Sequence, residues 1–537
     1  MEILVPARPR TRTAAVVLGA LAVAASLLTA PGPAVAAPTA TDPTPGPEAA
    51  AGAGTEAAAV EVLEEARDVL SGDPQGRDAT IVLHDLALAV GDLPEDRFGE
   101  ADRILARPTD GPRDPLGNGY GPNADPTSTC GVVCVHWARA TGDAPDLADG
   151  DGDGIPDHVE TVLATLTSIH DTYVRAGYRT PVADGNRGGN AKTDIYLADI
   201  GSDGLYGYCA PDDEPTRPAA PAYCVLDDDY SRAEFPANTP LENLQVTAAH
   251  EYFHAVQYAY DIFEDGWFLE STAAWVEDEL YDGVNDNRQY LRQSPLAQPS
   301  RSIDDGSGIR VYGSWIFFRY LTERSPAAQG GLPTIVRDMW RKAAGNARRT
   351  DPHSMRAVAA VLAARRMKLP RTVARFAAAN RRPATAYDEG ASYPVAALEG
   401  VLRVGRRDTR RTTTRIDHLS SSTVRVQRRG SMGKAWRLRV AVDLGPKATS
   451  PAAVVTVRTK AGRFQTRLVR LGRSGRGAVT VPFGSRAIRY AEVTMVNASR
   501  RFDCFQGSYF SCQGAPRDDD ERARLTVSTK KATRYSR

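Results

Sequence analysis

Cysteine is scarce in this sequence: six residues in 537, and none of their spacings is Cys-x-x-Cys. That excludes a zinc knuckle. No apolar run beyond the amino-terminal segment is long enough to span a bilayer, so no membrane span is expected once that segment is removed. Net charge is missing too. Lysine plus arginine total 66, as do aspartate plus glutamate, so no overall basicity marks the chain for nucleic acid. Histidine numbers only eight, which makes any pair in register informative.

The composition is that of an ordinary globular protein, 42% hydrophobic and 25% charged, and the length suffices for two or three domains. Residues 1–37 read as a secretory signal. Arg8, Arg10 and Arg12 precede the apolar run 14–28, and Ala34-Val-Ala36 offers a cleavage site. The mature protein is expected to be secreted, extracellular and soluble. Disulfides are then expected in three local couples: Cys130 with Cys134, Cys209 with Cys224, and Cys504 with Cys512. Other connectivities stay open. Residues 38–115 read as a linker rich in Ala, Pro and Thr, then helices over 57–70, 79–90 and 94–106. This segment is either a prosegment masking an active site or a helical collar that stays.

The central stretch is His250-Glu-Tyr-Phe-His254. Thr239 caps its helix, Pro240 suits the first position, and Glu242 completes a capping box. His250 and His254 stand one turn apart on one face, a spacing that lets two imidazoles bind one zinc ion. Glu251 is turned about 100° from His250, so it can reach the reacting water without ligating the metal. A third ligand candidate is Glu270, expected to open a second helix over 271–280.

His-Glu-x-x-His followed by Trp267-Phe-Leu-Glu270-Ser-Thr-Ala-Ala-Trp275-Val-Glu277 resembles the gluzincin metallopeptidases. More closely, roughly residues 130–515 resemble a group of secreted bacterial metalloproteases. The resemblance implies Glu270 as the third zinc ligand and Glu277 as a carboxylate behind the ligands. It also implies a tyrosine stabilising the oxyanion, for which Tyr312 is the candidate and Tyr290 the reserve. The Gly-x-Met-Glu-Asn segment of the aminopeptidases is absent, which favours an endopeptidase. The expected fold class is α+β: a gluzincin-like catalytic domain over 116–397, with a mixed-sheet upper lobe and a helical lower lobe, then an all-β sandwich.

Upstream, Asp149-Gly-Asp-Gly-Asp-Gly-Ile-Pro-Asp-His-Val-Glu160 fills every slot of a twelve-residue calcium loop. Asp149, Asp151, Asp153, Asp157 and Glu160 supply carboxylates and Ile155 its carbonyl. A structural calcium is expected there. A strand over 131–137 carries His136, read as a packed histidine rather than a ligand. Residues 201–235 read as a long loop, with Asp227-Asp-Asp229 a solvated turn in preference to a second cation site.

From residue 398 the sequence alternates apolar and polar between Gly, Ser and Pro turns, reading as a β-sandwich. From Val401 on, 31 side chains are basic and 9 acidic, leaving 35 and 57 for the rest. A basic face is expected there, either merely solvated or gripping anionic cell-wall polymer. The functional expectation is a zinc peptidase acting on peptide or protein. The alternatives are a zinc hydrolase of another bond and a non-catalytic, calcium-stabilised wall-binding protein.

Overall fold

The structure, a computed structural model, describes residues 47–71, 78–110, 119–212, 214–345, 354–503 and 515–532. Residues 1–37, read as a secretory signal, and the expected couple Cys504 with Cys512 lie outside them.

Three helices come first: α1 (Pro47–Leu70), α2 (Ala79–Ala89) and α3 (Phe98–Ile104). A five-stranded mixed sheet follows, from β1 (Pro126–Cys130), β2 (Cys134–Ala138), β3 (Asp194–Ala198), β4 (Gly207–Pro211) and β5 (Ala222–Asp227), in the order β1-β2-β3-β5-β4. β2, β3 and β5 run parallel, with β1 and β4 antiparallel at the edges. Successive side chains on a strand point to opposite faces. Ile195, Leu197 and Leu226 meet α4 (Asp157–Ala176) and α5 (Pro240–Tyr258) on one face. Tyr196, Tyr223 and Val225 meet Leu63, Leu83 and Leu86 of the amino-terminal helices on the other. Both faces are therefore covered, so these strands read as continuous apolar runs.

That covering explains where the sequence reading fails. Residues 201–235 are not one long loop: β4 and β5 lie within them. Their buried residues do not alternate with polar ones, and Gly, Pro and Asp flank them. The expected strand over 131–137 is a tight turn followed by β2, with β1 added before it. Asp227 is fully buried, so it is no solvated turn.

Helices α6 (Gly266–Leu280), α7 (Arg310–Gly313), α8 (Trp315–Thr322), α9 (Thr334–Ala343), α10 (Ser354–Ala364) and α11 (Leu369–Asn380) build a helical lobe around Trp267, Trp275, Trp315 and Trp340. A short hairpin, β6 (Ala328–Gln329) and β7 (Leu332–Pro333), precedes α9.

The carboxy-terminal region is two facing sheets. One contains β13 (Phe464–Leu468), β12 (Pro451–Thr459), β15 (Ile488–Asn497), β10 (Ser420–Arg428) and β8 (Gly400–Val404). The other contains β14 (Arg476–Pro482), β11 (Trp436–Asp443), β18 (Glu521–Lys531) and β9 (Thr409–Ile416). A small pair, β16 (Phe502–Asp503) and β17 (Ala515–Pro516), stands apart. Val440, Val455, Val493 and Leu525 fill the space between the sheets. The first sheet also turns a face to the helical lobe, where Ala452, Val454 and Val496 join the lobe's own apolar cluster. Arg381 of the segment after α11 reaches Glu492 of β15 at 3.1 Å.

Candidate metal centre

Helix α5 starts as its sequence dictates. The Thr239 hydroxyl accepts the Glu242 N–H at 3.3 Å, and Glu242 Oε2 accepts the Thr239 N–H at 2.8 Å. The whole helix from Asn243 on, apart from Gln245, is buried between the sheet and α6. Helix α6 begins at Gly266, four residues before Glu270, so Glu270 lies inside its second turn and does not open it. The Gly266-Trp-Phe-Leu run is simply compatible with helix once Asp265 stands before it. The carboxylate still turns back to α5.

Glu270 spans both histidines. Its Oε2 lies 3.0 Å from His250 Nε2, and its Oε1 3.3 Å from His254 Nε2. Ligand atoms of all three residues fall within 4.8 Å of one another, and all three side chains are buried. The opposite ring nitrogens are each engaged. His250 Nδ1 meets Glu277 Oε1 at 2.5 Å, and His254 Nδ1 meets Gln257 Oε1 at 2.8 Å. Gln257 is held in turn by donating to Leu269 O at 2.9 Å and Thr272 Oγ1 at 3.0 Å. An Nδ1–H bound in this way fixes the tautomer that leaves Nε2 as a lone pair. His254 Nε2 and Glu270 Oε1 are buried without a hydrogen-bond partner. Two such atoms facing each other require a cation or a proton between them. The donor set, two imidazoles and one carboxylate, suits zinc chemistry. Burial raises the Glu270 carboxyl, but with no cation between them His254 and His250 in their protonated form outweigh it and hold the carboxyl at about 2.

Glu251, Tyr312 and the edge strand β4 surround this cluster. The Tyr312 ring lies 5.8 Å from that of His250 and stacks on Tyr290 at 4.7 Å. Burial raises the carboxyl of Glu251 despite the nearby His250 and His254. The Cys209–Cys224 disulfide ties β4 to β5, with Cys209 Sγ 2.9 Å from the Glu251 carbonyl. A second disulfide, Cys130–Cys134, closes the β1–β2 turn.

The amino-terminal segment occupies this space, a placement no sequence spacing could signal. Tyr312 donates its hydroxyl proton to Asp78 Oδ2. Thr80 Oγ1 donates to Glu251 Oε2 at 3.2 Å and accepts the N–H of Cys209 at 3.1 Å. Asp78 is also the N-cap of α2, accepting the Ile81 N–H at 3.2 Å. Gln257, Asp78 and Thr80 are thus the site residues that sequence reasoning missed. Gln257 stands three residues after His254 on the same helix, a spacing open to helical-wheel reasoning; the other two are distant in sequence.

In the acidic loop, Asp149, Asp151 and Asp153 bring carboxylate oxygens within 4.8 Å of one another. Asp149 accepts the N–H groups of Gly152 and Gly154 at 2.7 and 2.9 Å, and Gly154 has a φ of 93° that favours glycine. Asp157 accepts the Gly150 N–H at 2.9 Å and begins α4. Glu160 is outside the tight trio, and the Ile155 N–H is accepted by Asp153 at 2.8 Å. His136, by contrast, is a packed strand histidine: it meets Asp194 at 2.7 Å and stacks on Tyr196 at 4.6 Å.

The fold and the cluster define a mixed α/β protein with a buried two-histidine, one-glutamate centre and a carboxy-terminal β-rich region. No family profile and no characterised protein sequence matches the chain. Among solved structures, the pre-peptidase C-terminal domain of a collagenase from Bacillus anthracis aligns over 97% of its length with 25% of this chain, at 9% identity and a TM-score of 0.16. A 4-O-methyl-alpha-glucuronidase with specificity for decorated arabinogalactans aligns over 39% of its length with 55% of this chain, at 9% identity and a TM-score of 0.14. At such scores neither carries an argument about fold or activity.

Proposed function

We propose that the protein is a secreted, gluzincin-like zinc peptidase in a latent form. The observation that carries this is the convergence of His250 Nε2, His254 Nε2 and the Glu270 carboxylate, with both Nδ1 atoms anchored behind them. Zinc bound there would lower the pKa of a water toward about 7 and polarise the scissile carbonyl. Glu251 accepts the proton from the attacking water and hands it to the leaving amine. Tyr312, freed from Asp78, donates its hydroxyl to the developing oxyanion. β4 is the sheet edge beside α5, and its Cys209 N–H is aimed at the cleft, where an extended substrate would take the place of Thr80.

Latency follows from the same contacts. Asp78 holds the tyrosine, Thr80 holds the general base, and α2 lies along β4. The amino-terminal segment must move or be cut before substrate enters. The acidic loop at Asp149, Asp151 and Asp153 is proposed as a structural calcium site, with Asp157, Glu160 and the Ile155 carbonyl completing it. The outer face of the β9-containing sheet carries Arg411, Arg439, Arg476 and Arg524 around a shallow groove, and is the surface proposed for anionic polymer.

The test is incubation of zinc-loaded protein with a diverse peptide mixture, before and after limited proteolysis of the amino-terminal segment, with and without a chelator. Cleavage that rises on proteolysis and vanishes with chelator is expected. No cleavage after removal of the segment would overturn the peptidase reading.

A further inference from the structure

Strands β3 and β5 run parallel and end side by side, with Ala198 opposite Asp227. Five carboxylates gather where the chain leaves them: Asp199 after β3, Asp227 at the end of β5, then Asp228, Asp229 and Glu234. Oxygens of Asp199, Asp227 and Asp228 lie within 4.8 Å of one another, and so do those of Asp227, Asp229 and Glu234. Asp227 is shared by both groups.

The cluster runs from the surface inward: Asp229 is exposed and Asp199 and Glu234 are half-buried, but its two central carboxylates are withdrawn from solvent. Asp227 is fully buried and Asp228 is only 8% exposed. Among the described residues no Lys, Arg or His forms an ion pair with any of the five, and the Asp228 carboxylate accepts no hydrogen bond from any other residue. The arrangement is nonetheless rigidly held. Asp227 accepts the N–H of Gly201 on one oxygen and that of Tyr230 on the other, each at 2.6 Å. Asp229 accepts the Ser231 N–H at 2.6 Å, and Glu234 accepts the Ser231 hydroxyl at 2.8 Å. Gly201 makes the convergence possible: a Cβ there would stand 2.5 Å from Asp227 Oδ1 and 2.9 Å from Glu234 Oε2. Leaving buried carboxylates without a counter-charge is unfavourable. Burial, with the neighbouring carboxylates, pushes Asp227 up to about 8 and Asp228 up to about 7.

We propose that Asp199, Asp227, Asp228, Asp229 and Glu234 form a second divalent-cation site, of the calcium class, separate from the Asp149 loop. An all-oxygen, carboxylate-rich set gathered from two loops fits a hard cation of high and flexible coordination number, and no nitrogen or sulfur donor invites zinc. The ion would tie the β3 and β5 ends to the chain leading into α5. Tyr230, next to the cluster, donates to the Tyr206 carbonyl at 3.0 Å, and Tyr206 packs on Phe235 at 3.7 Å, so the ordering would reach the turn before the histidine helix.

The experiment measures bound calcium per chain and the calcium-induced shift in Tm on the full-length protein. Terbium is the second probe, excited through the neighbouring tyrosines. Asp228→Asn keeps the side-chain volume but removes the buried charge; Asp199→Asn does the same at a less buried position and serves if the first variant misfolds. Both are made in the wild-type and in the Asp151→Ala background, so that the two sites are counted separately. The expected result is loss of one calcium, loss of the tyrosine-sensitised terbium signal, and a smaller Tm shift, in either background. Both variants retaining the parent's calcium count and Tm shift would overturn the proposal.

Discussion

Glu251 and Glu277 are both buried carboxylates beside His250, yet they face different tasks. Glu251 points to Thr80 and the cleft; Glu277 takes the Nδ1 side of the imidazole. Glu251→Gln in the activated protein should therefore keep metal and fold but lower kcat by about 10²–10⁴-fold, since an amide cannot accept the proton. Peptide turnover together with zinc content checks this. Glu277→Gln should instead weaken zinc affinity by about 10–100-fold, read by competition with a chelating dye, because the partner that fixes the ring is made neutral. The convergence of His250 and His254 was legible in the sequence, because i and i+4 on a helix leave little freedom. Glu270 was found as a candidate although its helix begins earlier than its composition suggested. The groups that occupy the cleft were not legible: Asp78 and Thr80 sit 129 or more residues from the cleft groups they bond, a separation that no periodicity encodes.

Among the elements, the acidic loop before α4 was readable as far as its Asp149, Asp151 and Asp153 trio and the turn at Gly154, because backbone turns are local. Calcium should raise the Tm of the protein, and Asp151→Ala should remove the part of that rise due to this loop. Differential scanning calorimetry at several calcium concentrations measures it. The strands were less readable. β4 and β5 carry no alternation because both of their faces are buried, and β9, Thr409–Ile416, is almost wholly polar or basic and gains its place only by pairing with β18. The joint between the amino-terminal helices and the sheet adds a pH dependence. Arg107 bonds Asp184 and Asp212 at 2.7 Å and also reaches Asp194. Burial pushes Asp212 up to about 6 from 3.8, although Arg107 pulls the other way. Folding thus favours the protonated carboxyl: this contribution to stability is present below pH 3.8 and lost as pH rises through about 6. Thermal melts of Asp212→Asn should lack that portion of the decline between those two values.

At the scale of the molecule, the texture changes near residue 398 and the first strand of the carboxy-terminal β-rich region begins at Gly400, but the change of texture does not tell how closely that region is joined to the rest. Ala452, Val454 and Val496 share the helical lobe's apolar cluster, and Arg381 meets Glu492 across the joint. A chain ending at residue 397 should bind zinc yet melt at a lower temperature and bind a hydrophobic dye, because that face is laid bare. An unchanged Tm would show the two parts to be independent. The amino-terminal helices are joined no less firmly: Leu63, Leu83 and Leu86 cover Tyr196, Tyr223 and Val225, while Asp78 and Thr80 reach the cleft. While covalently attached, such a segment acts at an effective concentration of the order of millimolar. A cut between α3 and β1 removes that advantage without removing the contacts. If the protein is the latent peptidase proposed, the severed piece would compete in trans, and specific activity should climb as the cleaved protein is diluted.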